Sequence, residues 1–219
     1  MKKLILASTS PRRAALLKQI GLNFLVKVSA VDETPLPGLT PPELVGLLAE
    51  RKAAAVARKL HDGIVIGADT VVVWQGQVLG KPKNGDEAFE MLFKVQGSCH
   101  EVYTGIALVD VSSGEVLVQH EKTRVCFRSL NEREIRLYVA SGEPLDKAGA
   151  YAIQHPEFRP VIKFAGCYAS VMGLPLCHVE RTFRKMGFGE HREIPFQCQN
   201  NLSYACPIYK LVLAGEEVG

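Results

Sequence analysis

Leu4-Ile5-Leu6-Ala7-Ser8-Thr9-Ser10-Pro11-Arg12-Arg13 reads as a buried strand, a hydroxyl-bearing turn and a helix start. Pro11 suits the first helical position, where its missing N–H has no partner to lose, and Ser10 suits the cap before it. The turn brings three hydroxyls, two guanidinium groups and free backbone N–H groups to one end of a sheet. Such a corner is an anion seat, and phosphate is the occupant its chemistry favours. Alone, the same stretch also describes a capped surface helix with solvated arginines. The remaining sequence decides between the two.

Working outward, β-like and helical segments alternate. Residues 4–7, 24–28, 63–74, 77–80, 100–110, 115–127 and 161–165 are rich in Val, Ile and aromatics and are bounded by turn formers, as strands are. Residues 11–20, 41–60, 86–96, 131–141 and 174–186 carry helical spacing. Val109 to Glu115 reads as a hairpin connection, which requires antiparallel neighbours. The fold class is α/β with a mixed, twisted sheet. No 20–50-residue period repeats and no low-complexity tract occurs, which excludes solenoids. Residues 1–189 read as one domain. Residues 190–219 read as an appended, cysteine-containing extension, with a strand-like stretch over 208–214.

The 219 residues, 47% hydrophobic and 22% charged, suffice for a sizeable core. The formal charge of +3 is spread along the chain without aromatic-basic interleaving, so no nucleic-acid partner is expected. The apolar run after Lys2-Lys3 stops at Ala7, too soon for an export signal, and no segment approaches the length of a membrane span. A cytoplasmic protein is expected, with its six cysteines reduced rather than forming a disulfide framework.

Asp69 breaks the otherwise continuous apolar pattern of 63–74, and Gly67-Ala68 strip bulk from the positions before it, as though something approaches closely there. A carboxylate placed so needs a partner such as a metal ion or a lysine. Lys52 stands on the apolar stripe of the 41–60 helix, either turned inward or snorkelling at its edge. Lys81, in Gly80-Lys81-Pro82, leaves a loop whose backbone the proline extends. Asp32 or Glu33 could serve a hard divalent cation from a loop start.

Ser8 to Arg13, Asp32-Glu33-Thr34, Lys52, Gly67 to Val72, Gly80-Lys81-Pro82, Val102 to Gly105, Asp146 to Gln154 and Val171 to Pro175 resemble, in order and spacing, the Maf family of nucleoside triphosphate pyrophosphatases. The resemblance covers about residues 3–188. It implies a two-lobed sheet with a central cleft, similar to the inosine triphosphate pyrophosphatases, commonly as a homodimer. It also implies hydrolysis of a nucleoside triphosphate to monophosphate and pyrophosphate with Mg²⁺ or Mn²⁺. Asp69 matches the family's proton acceptor. Arg12, Thr70 and Gln154 match positions tied to substrate choice, and Ser8, Arg13, Glu33, Lys52 and Lys81 match the other polar cleft residues. The Arg-Arg form with Thr70 and Gln154 is similar to the branch acting on dTTP and UTP rather than on 7-methyl-GTP. The chain departs from the family pattern at Ala152, His155 and Cys167.

The chemistry of these side chains agrees. Arg12, Arg13, Lys52 and Lys81 can neutralise a departing pyrophosphate. Glu33 and Asp69 can hold the metal, or Asp69 can take the proton of the attacking water. Gln154 offers both a donor and an acceptor to a pyrimidine edge. Other classes remain: a nucleotide-binding regulator of septum formation, which needs the phosphate seat alone, or an interaction module built on the extension. Cys167, Cys177, Cys198 and Cys206 lack a Cys-x-x-Cys pair and read as plain thiols, with zinc or an iron–sulfur cluster as the alternative. His61, His100, His120 and His191 read as structural or solvated.

Overall fold

The computed structural model describes residues 2–34, 38–189 and 193–216. In chain order these form β1 (Leu4–Leu6), α1 (Pro11–Gln19), β2 (Leu25–Val26), α2 (Pro41–Ala57), β3 (Ile64–Trp74), β4 (Gln77–Leu79), α3 (Gly85–Val95), β5 (Cys99–Asp110), β6 (Val116–Phe127) and α4 (Glu132–Ala140). Two 3-10 turns, Glu143–Asp146 and Ala148–Ala150, precede β7 (Val161–Ala165), α5 (Tyr168–Val171), α6 (Leu176–Lys185), α7 (Ile194–Asn201) and α8 (Tyr209–Ala214). The strands make one mixed sheet in the order β2-β1-β3-β5-β6-β7, with β4 added to β3. β1 is parallel to both its neighbours, and the other pairs are antiparallel.

Period-two alternation along β3 assigns its two faces. Ile64, Ile66 and Ala68 pack with α1 and α6, and Val72 packs with α3 and α4. Val65, Val71 and Val73 face α2, whose start is fixed by a capping box between Thr40 and Glu43. Two glycines allow α2 to lie this close. A Cβ on Gly67 would stand 2.1 Å from the Ala49 carbonyl oxygen, and one on Gly105 would stand 2.4 Å from that of Val45. The close approach expected at Gly67 is therefore made by the backbone of α2. That contact also sets the site, because Asp69 lies two residues on, on the same face, opposite Lys52.

The edges of β3 matter as much as its faces. β5 pairs along 64–73 on one edge. On the other, β1 covers 64–66 and β4 covers 72–74. Among the described residues no strand covers 67–71 there, and a notch opens beside Asp69 and Thr70.

The structure corrects several expectations. Cys99 and Cys126 form a disulfide rather than free thiols, because the β5–β6 hairpin places them directly opposite each other with Cα atoms 4.0 Å apart. The 208–214 stretch is helical, not extended: Val212 is its buried residue, its N–H bonds to the Ile208 carbonyl at 3.0 Å, and Gly215 ends it at φ 95°. β2 shrinks to two exposed residues. The short helices α5 and α7 had no clear sequence signal. α7 closes onto α1 and α6 through buried Ile194, and Asn201 donates to the Gln19 carbonyl at 2.7 Å. His61 and His120 are exposed, as expected, while buried His100 meets the Tyr151 hydroxyl at 2.8 Å and is lowered to about 4 by burial. His191 lies outside the described residues. No helix among the described residues is long and apolar enough to cross a membrane.

One buried pair makes stability depend on pH. Glu121 on β6 and His178 on α6 are 1% and 3% exposed, and their side chains stand 3.3 Å apart. Burial pushes the Glu121 carboxyl up to about 8 and the His178 ring down to about 3, so the folded pair keeps one proton between those limits. In the unfolded chain, Glu121 releases its proton through 4.5 and His178 through 6.5. Above 6.5 the folded state holds a proton that the unfolded state has lost, so this pair's stability falls as pH rises towards 8. Glu121→Gln removes that fall, worth about 2 kcal/mol. Urea midpoints near pH 6 and pH 8 should therefore diverge in the variant's favour at the higher pH. Parallel shifts in both proteins would refute the assignment.

Candidate active site

β1 ends where Ser8 begins a turn that is closed by its own hydroxyls. Ser8 Oγ accepts from the Ser10 N–H at 3.1 Å, and Ser10 Oγ caps α1 through the Arg13 N–H at 3.5 Å. This corner forms one wall of an open cavity at the notch beside β3. All nine residues selected from the sequence line it: Ser8, Arg12, Arg13, Glu33, Lys52, Asp69, Thr70, Lys81 and Gln154.

A buried ion pair lies at its floor. Lys52 turns inward from α2, 4% exposed, and its Nζ donates to Asp69 Oδ1 at 2.6 Å. Of the two readings of Lys52, the inward one is correct. Glu33 Oε1 is 3.1 Å from the same ammonium, and Glu33 Oε2 is 4.0 Å from Lys81 Nζ. Burial raises the Glu33 pKa, but Lys52 and Lys81 outweigh it and hold the carboxyl below its usual value. Asp32, the other acid considered, instead accepts from the Thr34 N–H and hydroxyl and does not line the cavity. Only Oδ1 of Asp69 is engaged among the described residues, so its second oxygen is available to the cavity.

Arg13 is held by neutral oxygens. Nε donates to the Gly173 carbonyl at 2.8 Å, Nη2 to Thr70 Oγ1 at 3.1 Å and Nη1 to Ser8 Oγ at 3.3 Å. Its pKa is lowered, first by loss of water and then by neighbouring Arg12, with Asp69 opposing. Gly173, at φ 110°, brings its carbonyl in; a Cβ there would stand 3.2 Å from Arg13 Nε. Thr70 is fixed in turn by Thr104 Oγ1 at 2.9 Å, which itself donates to the Ser170 carbonyl at 2.8 Å.

Sequence reasoning missed Ser29, Asp146, Lys147 and Tyr151 as cavity residues. Asp146 bridges Arg12 Nη1 at 2.8 Å and Lys147 Nζ at 2.7 Å, joining the start of α1 to the first 3-10 turn across the cavity. The signal was present, since Asp146 and Lys147 open the stretch that ends at Gln154. Gln154 is exposed at the rim, and its amide has no hydrogen-bond partner among the described residues.

The four remaining cysteines gather elsewhere. Cys167, Cys177, Cys198 and Cys206 are free thiols lining a small, mostly apolar crevice with Tyr168, Tyr204 and Tyr209. Burial pushes all four thiols up. Among the described residues no three His, Cys, Asp or Glu side chains are placed to hold a metal ion.

Five cationic side chains, three carboxylates and a helix start converging on the open edge of a mixed sheet define an α/β protein built to receive a polyanion. Residues 3–186 match the family model described as Maf-like protein, and the chain belongs to that family. It is 55% identical over 188 residues to the dTTP/UTP pyrophosphatase of Pelotomaculum thermopropionicum, covering 86% of this chain and 98% of that one. It is 49% identical to the dTTP/UTP pyrophosphatase of Desulforamulus reducens (85% and 98% covered) and 48% identical to that of Geotalea uraniireducens (84% and 95% covered). The Staphylococcus aureus Ham1 protein structure aligns at TM-score 0.41 and 15% identity over 57% of this chain and 72% of that one.

Proposed function

We propose that this chain hydrolyses dTTP and UTP, and modified pyrimidine triphosphates of the same shape, to the nucleoside monophosphate and pyrophosphate. The carrying observation is the cavity itself: the anion-seating corner at Ser8 to Arg13 and the Lys52–Asp69 pair open onto one space. The relatives' activity and their near-complete overlap with this chain support the same assignment. In this proposal the helices on either side of the cavity act as two lobes and the cavity as the cleft between them. Residues 1–189 carry the chemistry, and the described part of the extension, 193–216, covers part of the core.

Asp69 accepts the proton of the attacking water through the oxygen that Lys52 leaves free, and Lys52 keeps the carboxylate in place. Arg12, Arg13 and Lys81 neutralise the charge that builds on the departing pyrophosphate. Thr70 is held between Arg13 and Thr104, and so keeps the guanidinium aimed. Gln154 meets the base edge.

The donor set fits a divalent cation that arrives with the substrate. Glu33 and Asp69 offer hard carboxylate oxygens on either side of Lys52, and Mg²⁺ is ordinarily held by one or two carboxylates together with substrate phosphates. Such a cation, when bound, would polarise the phosphoryl oxygens and offset their charge.

The test is a panel of nucleoside triphosphates with Mg²⁺ or Mn²⁺, scoring pyrophosphate against orthophosphate. Fastest release of pyrophosphate from dTTP and UTP is expected. Orthophosphate as the sole product would overturn the proposal.

A further inference from the structure

We propose that His155 is a positioning residue that sets the base preference of the site by fixing the backbone that carries Gln154; this rests on the assignment of Gln154 to the base. The segment from Ala152 to Pro160 has no regular secondary structure, yet it is pinned at several points. The Ala152 N–H donates to the Tyr138 hydroxyl at 3.1 Å. The carbonyls of Phe158 and Arg159 accept from Arg128 Nη2 and Nε at 3.0 and 3.2 Å.

Between those ends His155 acts as an internal staple. Its Nδ1 accepts from two backbone N–H groups, Phe158 at 2.9 Å and Glu157 at 3.2 Å. Accepting there places the ring proton on Nε2, which faces Glu143 Oε1 at 3.9 Å. The ring stands edge-on to Tyr138 at 4.9 Å, and Tyr138 stacks on Phe158 at 4.0 Å. Three rings and two backbone hydrogen bonds thus fold the chain back immediately after Gln154, whose own amide is unpartnered at the cavity rim. A donor and acceptor aimed by a braced backbone lose little freedom on meeting a base, and this freedom is where selectivity is otherwise lost.

The test compares His155→Ala, His155→Asn, Gln154→Ala and the double variant Gln154→Ala/His155→Ala. Kinetics with dTTP and dGTP are measured for each. His155→Ala should raise KM for dTTP about five- to tenfold with kcat nearly unchanged, and shrink the dTTP-over-dGTP preference by a similar factor. His155→Asn keeps an acceptor near the Nδ1 position and should retain the preference. The double variant should match Gln154→Ala alone, because the two residues act as one unit. Additive losses in the double variant, or an intact preference in His155→Ala beside a lost one in Gln154→Ala, would overturn the role of His155 and leave Gln154 as the base contact. An intact preference in Gln154→Ala would overturn both.

Discussion

Asp69→Asn yields a folded protein that turns over dTTP about a thousandfold more slowly, within the range that a positioned acid–base group contributes. The carboxylate sits on a strand held on one edge by β5 and on its face by α2, so the path of the strand does not depend on the charge, and Lys52 is the one group in contact that does. Asparagine keeps an oxygen for Lys52 Nζ, and Glu33, at 3.1 Å, remains as that lysine's counter-charge. The loss of stability should be about 1–3 kcal/mol, the cost of weakening one charged hydrogen bond. Circular dichroism and a urea titration report the fold, and steady-state kinetics report the chemistry. An unfolded variant would mean that Asp69 is structural, and unchanged turnover would remove it from the reaction.

The second large effect belongs to Arg13. Its hydrogen-bond partners are the Gly173 carbonyl and the hydroxyls of Ser8 and Thr70, so the half-buried guanidinium has no ion-pair partner in contact, and Asp69 and Glu33 offset its loss of water only at a distance. A cation kept in such a place is held ready for an anion, and the protein bears the desolvation cost until substrate arrives. Arg13→Met fills similar space without charge. It should lower kcat/KM for dTTP by about three orders of magnitude, while the melting temperature holds or rises, as when buried charges are replaced by apolar side chains. A marked fall in melting temperature, with kcat/KM preserved, would show that Arg13 braces the fold instead.

Much of this was legible in the sequence, for physical reasons that differ from place to place. The corner at Ser8 to Arg13 was readable because strand periodicity, a cap and a helix-opening proline are all local signals. Lys52 and Asp69 were readable as anomalies, each a charge on an apolar pattern, and each proved to be the other's partner. What brings them together was not local. The notch exists because β1 stops and β4 starts at different points along one edge of β3, a matter of strand length and register that no single stretch encodes.

Compartment arguments alone favour free thiols, whereas the disulfide is implicit in the geometry of the hairpin. Cys99 and Cys126 each lie ten residues beyond the Val109–Val116 pair that flanks the turn. The 208–214 helix reads as a strand in the sequence because a short apolar run carries too little periodicity to separate the two. Asp146 escaped notice because its role depends on a contact with Arg12, more than a hundred residues earlier in the chain.

In the proposed reaction the cavity directs water to the α phosphorus of a nucleoside triphosphate, with Asp69 accepting the proton. Hydrolysis of dTTP in heavy-oxygen water, with the products separated and weighed by mass spectrometry, tests it most directly. The label should appear in dTMP, with unlabelled pyrophosphate beside it. Label in the pyrophosphate would place the attack on the β phosphorus and rule out this chemistry.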